Sequence, residues 1–145
     1  MKISQSLYFK ILSYYQFNQP DTPEQGGIIG MRTGVICEYA HDIKFTGVCE
    51  LSYVPEVRYL NRIIEEWYKN GIEFAGIIHS HPAGKESLSV GDMNYAQLLF
   101  NCNPELEFAY FPIICGNRII PFKIVKPDNK LEYVVEDVII IEEID

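Results

Sequence analysis

Residues 79–92 have the sequence HSHPAGKESLSVGD, which places two histidines, a serine and an aspartate in the register H-x-H-x7-S-x2-D. The run before them, residues 72–78 (IEFAGII), is apolar enough to predict a buried strand. Side chains two positions apart on a strand point to the same face, so His79 and His81 at its end can hold one ion together. A proline and a glycine then end the strand and begin a turn.

A helix is predicted after this turn, from Ser89 to Asn101, because apolar residues recur there at helical spacing: Met93, Ala96, Leu99 and Phe100. Asp92 then lies in the first turn of a helix that can lean back over the strand end. Two imidazoles and one carboxylate make three protein ligands. This is the number expected of a catalytic zinc site that keeps one position open for water.

Each half of this motif also has a structural interpretation. Ser89 and Asp92, taken alone, form S-x-x-D at the head of a helix, which is close to a capping box. A histidine pair at a strand end often only binds a loop carbonyl. The continuous register of both pairs favours a metal site. The capping interpretation is compatible with it, because a serine at a helix N-terminus presents its hydroxyl beside the positive end of the helix dipole.

The segment resembles the signature of the JAMM metalloproteases, the zinc-bearing branch of the MPN domain family. That family also has a glutamate well upstream, in a short segment leading into a glycine-rich strand. Here residues 23–30 are PEQGGIIG, and Glu24 is the matching position. From these residues alone, Glu24 would be a solvated loop carboxylate. The resemblance covers nearly the whole chain, because the order of predicted helices and strands around these residues also follows the family.

The resemblance implies a reaction and a role for each residue. One zinc per chain would be held by His79, His81 and Asp92, and would lower the pKa of its bound water from about 15.7 toward about 7. Glu24 would be the general base rather than a ligand, and would pass the proton to the leaving amine. Ser89 would donate its hydroxyl to the oxyanion. The implied substrate is an amide bond after the C-terminal tail of a ubiquitin-like or sulfur-carrier protein, peptide or isopeptide, with the tail added to an exposed sheet edge.

Two other functions are compatible with parts of the pattern. Relatives of the same fold serve as non-catalytic interaction scaffolds after losing metal ligands, but the complete set of matching residues in this chain argues against that role. The RadC proteins, a branch linked to DNA repair, also pair two histidines with a proline and a glycine in the loop. The acidic composition and Ser80 between the histidines disfavour this alternative.

Length and charge limit the remaining possibilities. A chain of 145 residues fits a single domain with a core large enough to fold without a metal. Its 12 Lys and Arg against 20 Asp and Glu give a net charge of -8, which argues against nucleic acid as a partner. The sequence predicts no signal peptide and no membrane span, so a cytoplasmic location is expected. Oligomeric state stays open.

The four cysteines form no C-x2-C pair and are expected to be reduced core thiols: Cys37, Cys49, Cys102 and Cys115. His41 is the only histidine outside the motif, and a surface turn is expected there.

Along the rest of the chain, a first helix is predicted from about Ser4 to Gln16, with Ser4 as N-cap. A second helix is predicted to begin with Pro55 in its first turn and to end before Gly71. Its core-facing residues are expected to be Val57, Leu60, Ile64 and Trp67. Strands are predicted at 27–31, 34–39, near 47–53, at 107–115, at 118–125 and within 131–141, with a hairpin turn at Gly116 and Asn117. These elements predict an α/β fold, one curved mixed sheet flanked by about three helices, of the MPN (cytidine deaminase-like) architecture. Gaps between the elements are short, so insertions that would select among ubiquitin-chain linkages are not expected.

Overall fold

A mixed sheet with helices on both faces organises the chain in the structure, a computed structural model that describes residues 1–16, 23–42 and 55–143. The helices are α1 (Gln5–Tyr15), α2 (Val57–Lys69) and α3 (Val90–Cys102), with a 3-10 turn at Pro127–Asn129. The strands are β1 (Lys2–Ser4), β2 (Gly26–Arg32), β3 (Val35–His41), β4 (Glu73–Ser80), β5 (Phe108–Tyr110), β6 (Ile113–Cys115), β7 (Arg118–Ile120), β8 (Phe122–Val125), β9 (Glu132–Val135) and β10 (Ile139–Ile141). The predicted fold class, a curved mixed sheet with three helices, is confirmed.

Strand β4 lies at the centre of the sheet. The strand order is β10-β1-β3-β2-β4-β5-β8-β9, and β6 pairs with the end of β4 and with β7. The β2 strand is antiparallel to β4, whereas β5 and β6 are parallel to it. Because β4 has neighbours on both sides, its last residues, including the first motif histidine, are held in a defined register.

Alternating side chains of the central strands point into two separate cores, as the two-residue period of a strand requires. One core packs against α1 and includes Ile29 and Ile78. The other packs against α2 and α3 and includes Ile28 and Ile77. Since residue 79 has the same parity as Ile77, this alternation directs His79 toward the face that carries α2 and α3.

The second helix begins later than predicted. Val57 is its first residue and Glu56 its N-cap, so Pro55 precedes the helix and is not in its first turn. The Asp42 carboxylate accepts a hydrogen bond of 2.8 Å from the backbone N–H of Glu56, which holds the chain just before the helix. Leu60 and Trp67 are buried as expected, but Val57 is 52% exposed, so its predicted core position is wrong.

Prolines divide two of the predicted strands. The segment 107–115 forms β5 and β6, separated by Phe111 and Pro112, and the segment 118–125 forms β7 and β8, separated by Pro121. Proline has no N–H to donate to a strand ladder, so each proline marks a bend where the pairing changes. The predicted turn at Gly116 is confirmed, and this glycine has a φ of +65°.

Other differences lie at the ends of the sheet and in one part of the chain that is not described. Strand β1 was not predicted, and the segment 131–141 forms two strands, β9 and β10, rather than one. The strand predicted near 47–53, together with Cys49, lies outside the described residues. Within the described residues, no helix combines the length and the apolar character that crossing a membrane requires.

His41 does not lie in a surface turn. It ends β3 and is half-buried, and its ring stacks on Tyr14 with ring centroids 4.6 Å apart. Its Nδ1 atom is 2.5 Å from the hydroxyl of Tyr39, which is itself 2.7 Å from the hydroxyl of Tyr15. Burial lowers the pKa of His41 and outweighs the opposing charge of Asp42.

The described cysteines are free thiols, as predicted, but they differ in burial. Cys115 is buried and Cys37 is partly buried, whereas Cys102 at the end of α3 is exposed. The prediction that every cysteine is a core residue is therefore wrong for Cys102, which the helix turns toward solvent.

Candidate metal centre

The two motif histidines meet at the end of β4. Backbone hydrogen bonds to the neighbouring chain fix both residues, because the N–H of His79 donates to Pro112 (3.2 Å) and that of His81 donates to Ile114 (2.9 Å). Their Nε2 atoms lie 2.8 Å apart. The pairing predicted from the H-x-H spacing is thus realised, with the ring nitrogens directed at one point.

A tight turn orients the second histidine. Its Nδ1 atom is 3.1 Å from the carbonyl oxygen of Lys85, and the Lys85 N–H donates to the carbonyl of Pro82. Gly84, with a φ of +87°, supplies the left-handed backbone conformation that this turn needs. A carbonyl oxygen can only accept, so Nδ1 carries a proton, and in the neutral ring Nε2 then presents its lone pair to the centre.

Asp92 reaches the histidines from the first turn of α3. Its two carboxylate oxygens are 3.1 Å from Nε2 of His79 and 3.2 Å from Nε2 of His81. A capping box holds the same side chain, since Ser89 N–H donates to the Asp92 carboxylate (2.8 Å) and Asp92 N–H donates to Ser89 Oγ (3.0 Å). Helix capping and convergence on the histidines therefore occur together, as the sequence allowed.

The charge of the His81 ring and the charge of the Asp92 carboxylate depend on each other. Burial alone would raise the pKa of Asp92, but hydrogen bonds from His79, His81 and the Ser89 backbone hold this pKa well below its usual range. Burial alone would lower the pKa of His81, but the hydrogen bond and negative charge of Asp92 outweigh it, so this pKa is raised. The Asp92 carboxylate and the His81 ring thus stabilise each other's charged forms, so a proton and a metal ion would compete for Nε2 of His81.

Glu24 lies beside the same histidines although it is far away in sequence. The next residue, Gln25, donates its N–H to Ser80 Oγ (3.0 Å) and accepts from the Ser80 N–H (2.8 Å), a link between positions 55 residues apart. A Glu24 carboxylate oxygen and the ring nitrogens of His79 and His81 all lie within 4.8 Å of one another.

Two carboxylates are therefore available to the histidine pair, and both donor sets suit zinc, which binds imidazole nitrogen and carboxylate oxygen. The Asp92 oxygens lie 3.1 and 3.2 Å from the two ring nitrogens, and the capping box fixes this side chain. Two imidazole lone pairs at 2.8 Å repel each other unless a cation or a shared proton lies between them. The residues present therefore fit a metal ion bound by three protein groups.

An open cavity of about 640 Å³ lies over this centre. All five predicted site residues line it, together with apolar side chains such as Ile77 and Phe111. A second, more apolar cavity of about 550 Å³ lies between α2 and α3 and shares Pro55, Ile77 and Tyr95 with the first. The centre thus opens into a cleft rather than lying sealed in the core.

Sequence interpretation missed two residues that support the centre. Ser80 links the Glu24 segment to β4. Because Ser80 lies between the two histidines on a strand, its side chain points to the opposite face from theirs, and this alternation is the sequence feature that indicates a structural role. Lys85 acts through its backbone carbonyl, which no side-chain pattern can reveal. Only the proline and glycine of its turn pointed to a bend there.

Comparison with known proteins gives matches at the level of structure. No protein-family model and no curated protein matches the chain. The solution structure of protein DSY2949 from Desulfitobacterium hafniense aligns with a TM-score of 0.66 and 16% identity, over 99% of this chain and 94% of that one. The crystal structure of AF2198, a JAB1/MPN domain protein from Archaeoglobus fulgidus, aligns with a TM-score of 0.54 and 19% identity, over 98% of this chain and all of that one.

The chain has an MPN-type fold. At these identities the similarity is one of backbone, and it confirms the fold that the resemblance implied.

Proposed function

We propose that this protein is a zinc-dependent metallopeptidase or isopeptidase that hydrolyses an amide bond after the C-terminal tail of a ubiquitin-like or sulfur-carrier protein. The observation that carries the proposal is the convergence of His79 Nε2, His81 Nε2 and the Asp92 carboxylate within 3.2 Å, with Glu24 beside them on an open cleft. The MPN-type fold supports it.

In this proposal His79, His81 and Asp92 hold the zinc, and Glu24 stays outside the ligand set. The capping box keeps Asp92 against the rings, which suits a ligand. Glu24 precedes β2, and one of its carboxylate oxygens lies within 4.8 Å of both ring nitrogens, so it can reach a water molecule beside the ion. Three protein ligands leave one coordination position open.

A bound zinc supplies a Lewis acid that polarises an amide carbonyl and makes water acidic near neutral pH. Glu24 accepts a proton from the attacking water and delivers it to the nitrogen of the leaving amine. Ser89 Oγ already accepts from the Asp92 N–H, so its own hydroxyl proton is available to donate to the oxygen that becomes negative when the carbonyl is attacked.

The substrate would reach the centre as an extended tail, because a folded domain cannot enter a cleft of about 640 Å³. Main-chain pairing of such a tail with a sheet edge would supply affinity, and the narrow cleft would supply specificity. The described cysteines are free thiols, in keeping with a reducing, cytoplasmic setting.

The first test measures zinc in purified protein that has never met a chelator. We expect about one zinc per chain, and loss of zinc in His81→Ala and Asp92→Ala. Absence of zinc from the unmodified protein would contradict the proposal and favour a non-catalytic scaffold.

The second test separates base from ligand. Glu24→Gln should keep the zinc while slowing hydrolysis of a ubiquitin-like fusion by about 100-fold to 10,000-fold, the range for loss of a general base. Glu73→Gln, an exposed carboxylate at the opposite end of β4, is the matched control and should leave turnover unchanged. Near-normal turnover in Glu24→Gln would remove Glu24 from the reaction. Peptide-linked and isopeptide-linked substrates, compared in parallel, decide which bond is preferred.

A further inference from the structure

The loop between β4 and α3 is attached to the β6–β7 hairpin at two points. The buried thiol of Cys115 donates to the carbonyl of Pro82 over 3.6 Å. The guanidinium of Arg118 forms an ion pair with the Glu86 carboxylate. These two contacts lie on either side of Lys85, whose carbonyl orients His81.

The loop is anchored again at Leu88, which packs against the core under α2 and α3. Residues 83–87 are all exposed, and Gly84 gives the turn a backbone that can adopt many conformations. The carbonyl of Pro82 accepts from both the Lys85 N–H and the Cys115 thiol, which fixes the start of the turn. After Lys85, the ion pair of Glu86 with Arg118 is the next contact along the chain that ties the turn to the sheet.

We propose that Arg118 is a positioning residue for the metal centre, which acts through Glu86 to keep the Lys85 carbonyl on Nδ1 of His81. With this carbonyl in place, His81 presents Nε2 to the ion. When the ion pair is lost, the turn moves, the Lys85 carbonyl leaves the ring, and the other tautomer, with the proton on Nε2, becomes accessible. This inference rests on the proposed function insofar as it concerns zinc, but the tautomer of His81 is a property of the metal-free protein.

Because Arg118 and Glu86 are both exposed, a role in positioning His81 can be distinguished from a role in stabilising the fold. The side chains of Arg118 and Glu86 are 60% and 55% exposed, so their ion pair contributes little to the folding of the domain. Removing it should therefore weaken zinc binding while the thermal midpoint of unfolding changes little. A merely structural contact would show the reverse pattern.

The experiment compares Arg118→Gln, Arg118→Lys and the exchanged pair Arg118→Glu with Glu86→Arg in the full chain. The zinc dissociation constant is measured by competition with a chromophoric chelator, and the His81 tautomer by nitrogen-15 NMR of the metal-free protein at an alkaline pH at which the ring is neutral. Lys69→Gln is the matched control, since Lys69 and Glu66 form an exposed ion pair of 3.0 Å on α2 outside the cleft.

We expect Arg118→Gln to raise the zinc dissociation constant about two- to fivefold, the small effect appropriate to an exposed ion pair, and to shift His81 toward the Nε2–H tautomer. The lysine variant and the exchanged pair should recover most of both effects, and Lys69→Gln should show neither. An unchanged tautomer in Arg118→Gln, or a loss of zinc affinity equal to that of the control, overturns the inference. If the wild-type protein binds no zinc but Arg118→Gln still shows the tautomer shift, the proposed function alone is contradicted.

Discussion

Replacing Ser89 by alanine should separate its two roles, helix cap and oxyanion donor. The Ser89 side chain makes one of the two hydrogen bonds of the capping box, in which its Oγ accepts from the Asp92 N–H at 3.0 Å. Its loss should lower the free energy of unfolding by about 1 kcal/mol, within the usual 0.5–2 kcal/mol for an N-cap serine. Loss of the hydrogen bond that the Ser89 hydroxyl would donate to the oxyanion should lower kcat by about 100-fold to 1000-fold. Zinc should remain, because the Ser89 backbone N–H still holds the Asp92 carboxylate.

Two further variants make this prediction specific. Ser89→Asn supplies another good cap and should restore stability without restoring kcat, since its amide does not place a donor where the hydroxyl was. Ser4→Ala is the control for capping, because Ser4 is the N-cap of α1 but makes no side-chain cap bond, and its replacement should cost little stability. Chemical denaturation and turnover of a ubiquitin-like fusion are the two assays. Near-wild-type turnover in zinc-loaded Ser89→Ala would refute the oxyanion role, and equal destabilisation by Ser4→Ala would refute the capping argument.

Two other predictions concern the acid stability of the fold and the turn beside the metal centre. Burial lowers the pKa of His41, so between the unfolded value of about 6.5 and the lower folded value the unfolded chain binds more protons, and the unfolding free energy should fall as pH falls. His41→Gln should reduce this slope in urea titrations from pH 7 to pH 5, and an identical slope would contradict the burial argument. Gly84→Ala and Gly34→Ala each place a side chain at positive φ (+87° and +80°) in open space, at a strain of about 1–2 kcal/mol. If Gly84→Ala displaces the carbonyl behind the second histidine, zinc affinity should fall about 10-fold to 100-fold, whereas Gly34→Ala, in a hairpin outside the cleft, should leave zinc binding unchanged.

Local periodicity was sufficient to predict the part of the fold that carries the motif. The apolar run before His79 predicted β4, and the two-residue period placed both histidines on one side. The S-x-x-D spacing predicted the start of α3, where the capping box is observed. In each case the signal lies within a few residues of the element that it predicts.

Pairings between distant segments were not predictable in the same way. Strand β1 has three residues and pairs in parallel with β3 and β10, so its existence depends on partners more than 30 residues away. The breaks at Pro112 and Pro121 depend on where the sheet bends, and both segments otherwise have strand-like composition. The exposure of Cys102 depends on how α3 is rotated against the sheet.

The candidate site shows the same division. His79, His81 and Asp92 followed from one short motif, whereas Glu24 was assigned through family resemblance. The contacts that bring it to the histidines join Gln25 to Ser80 across two strands. Arg118 gave no signal in the sequence, because its partner Glu86 is 32 positions away in an exposed loop.

The site is divided between two layers of the molecule. Glu24 and both histidines are attached to the sheet, whereas Asp92 and Ser89 belong to α3, which is anchored through Ala96 and Phe100. A metal ion bound by residues of both the sheet and α3 would link the two, and its binding free energy would further stabilise the packing of α3 on the sheet. Amide hydrogen exchange in the first turn of α3 would therefore slow when the ion binds. The fraction of protein that holds a metal ion could then be followed through these backbone amides, without observing the metal-binding side chains themselves.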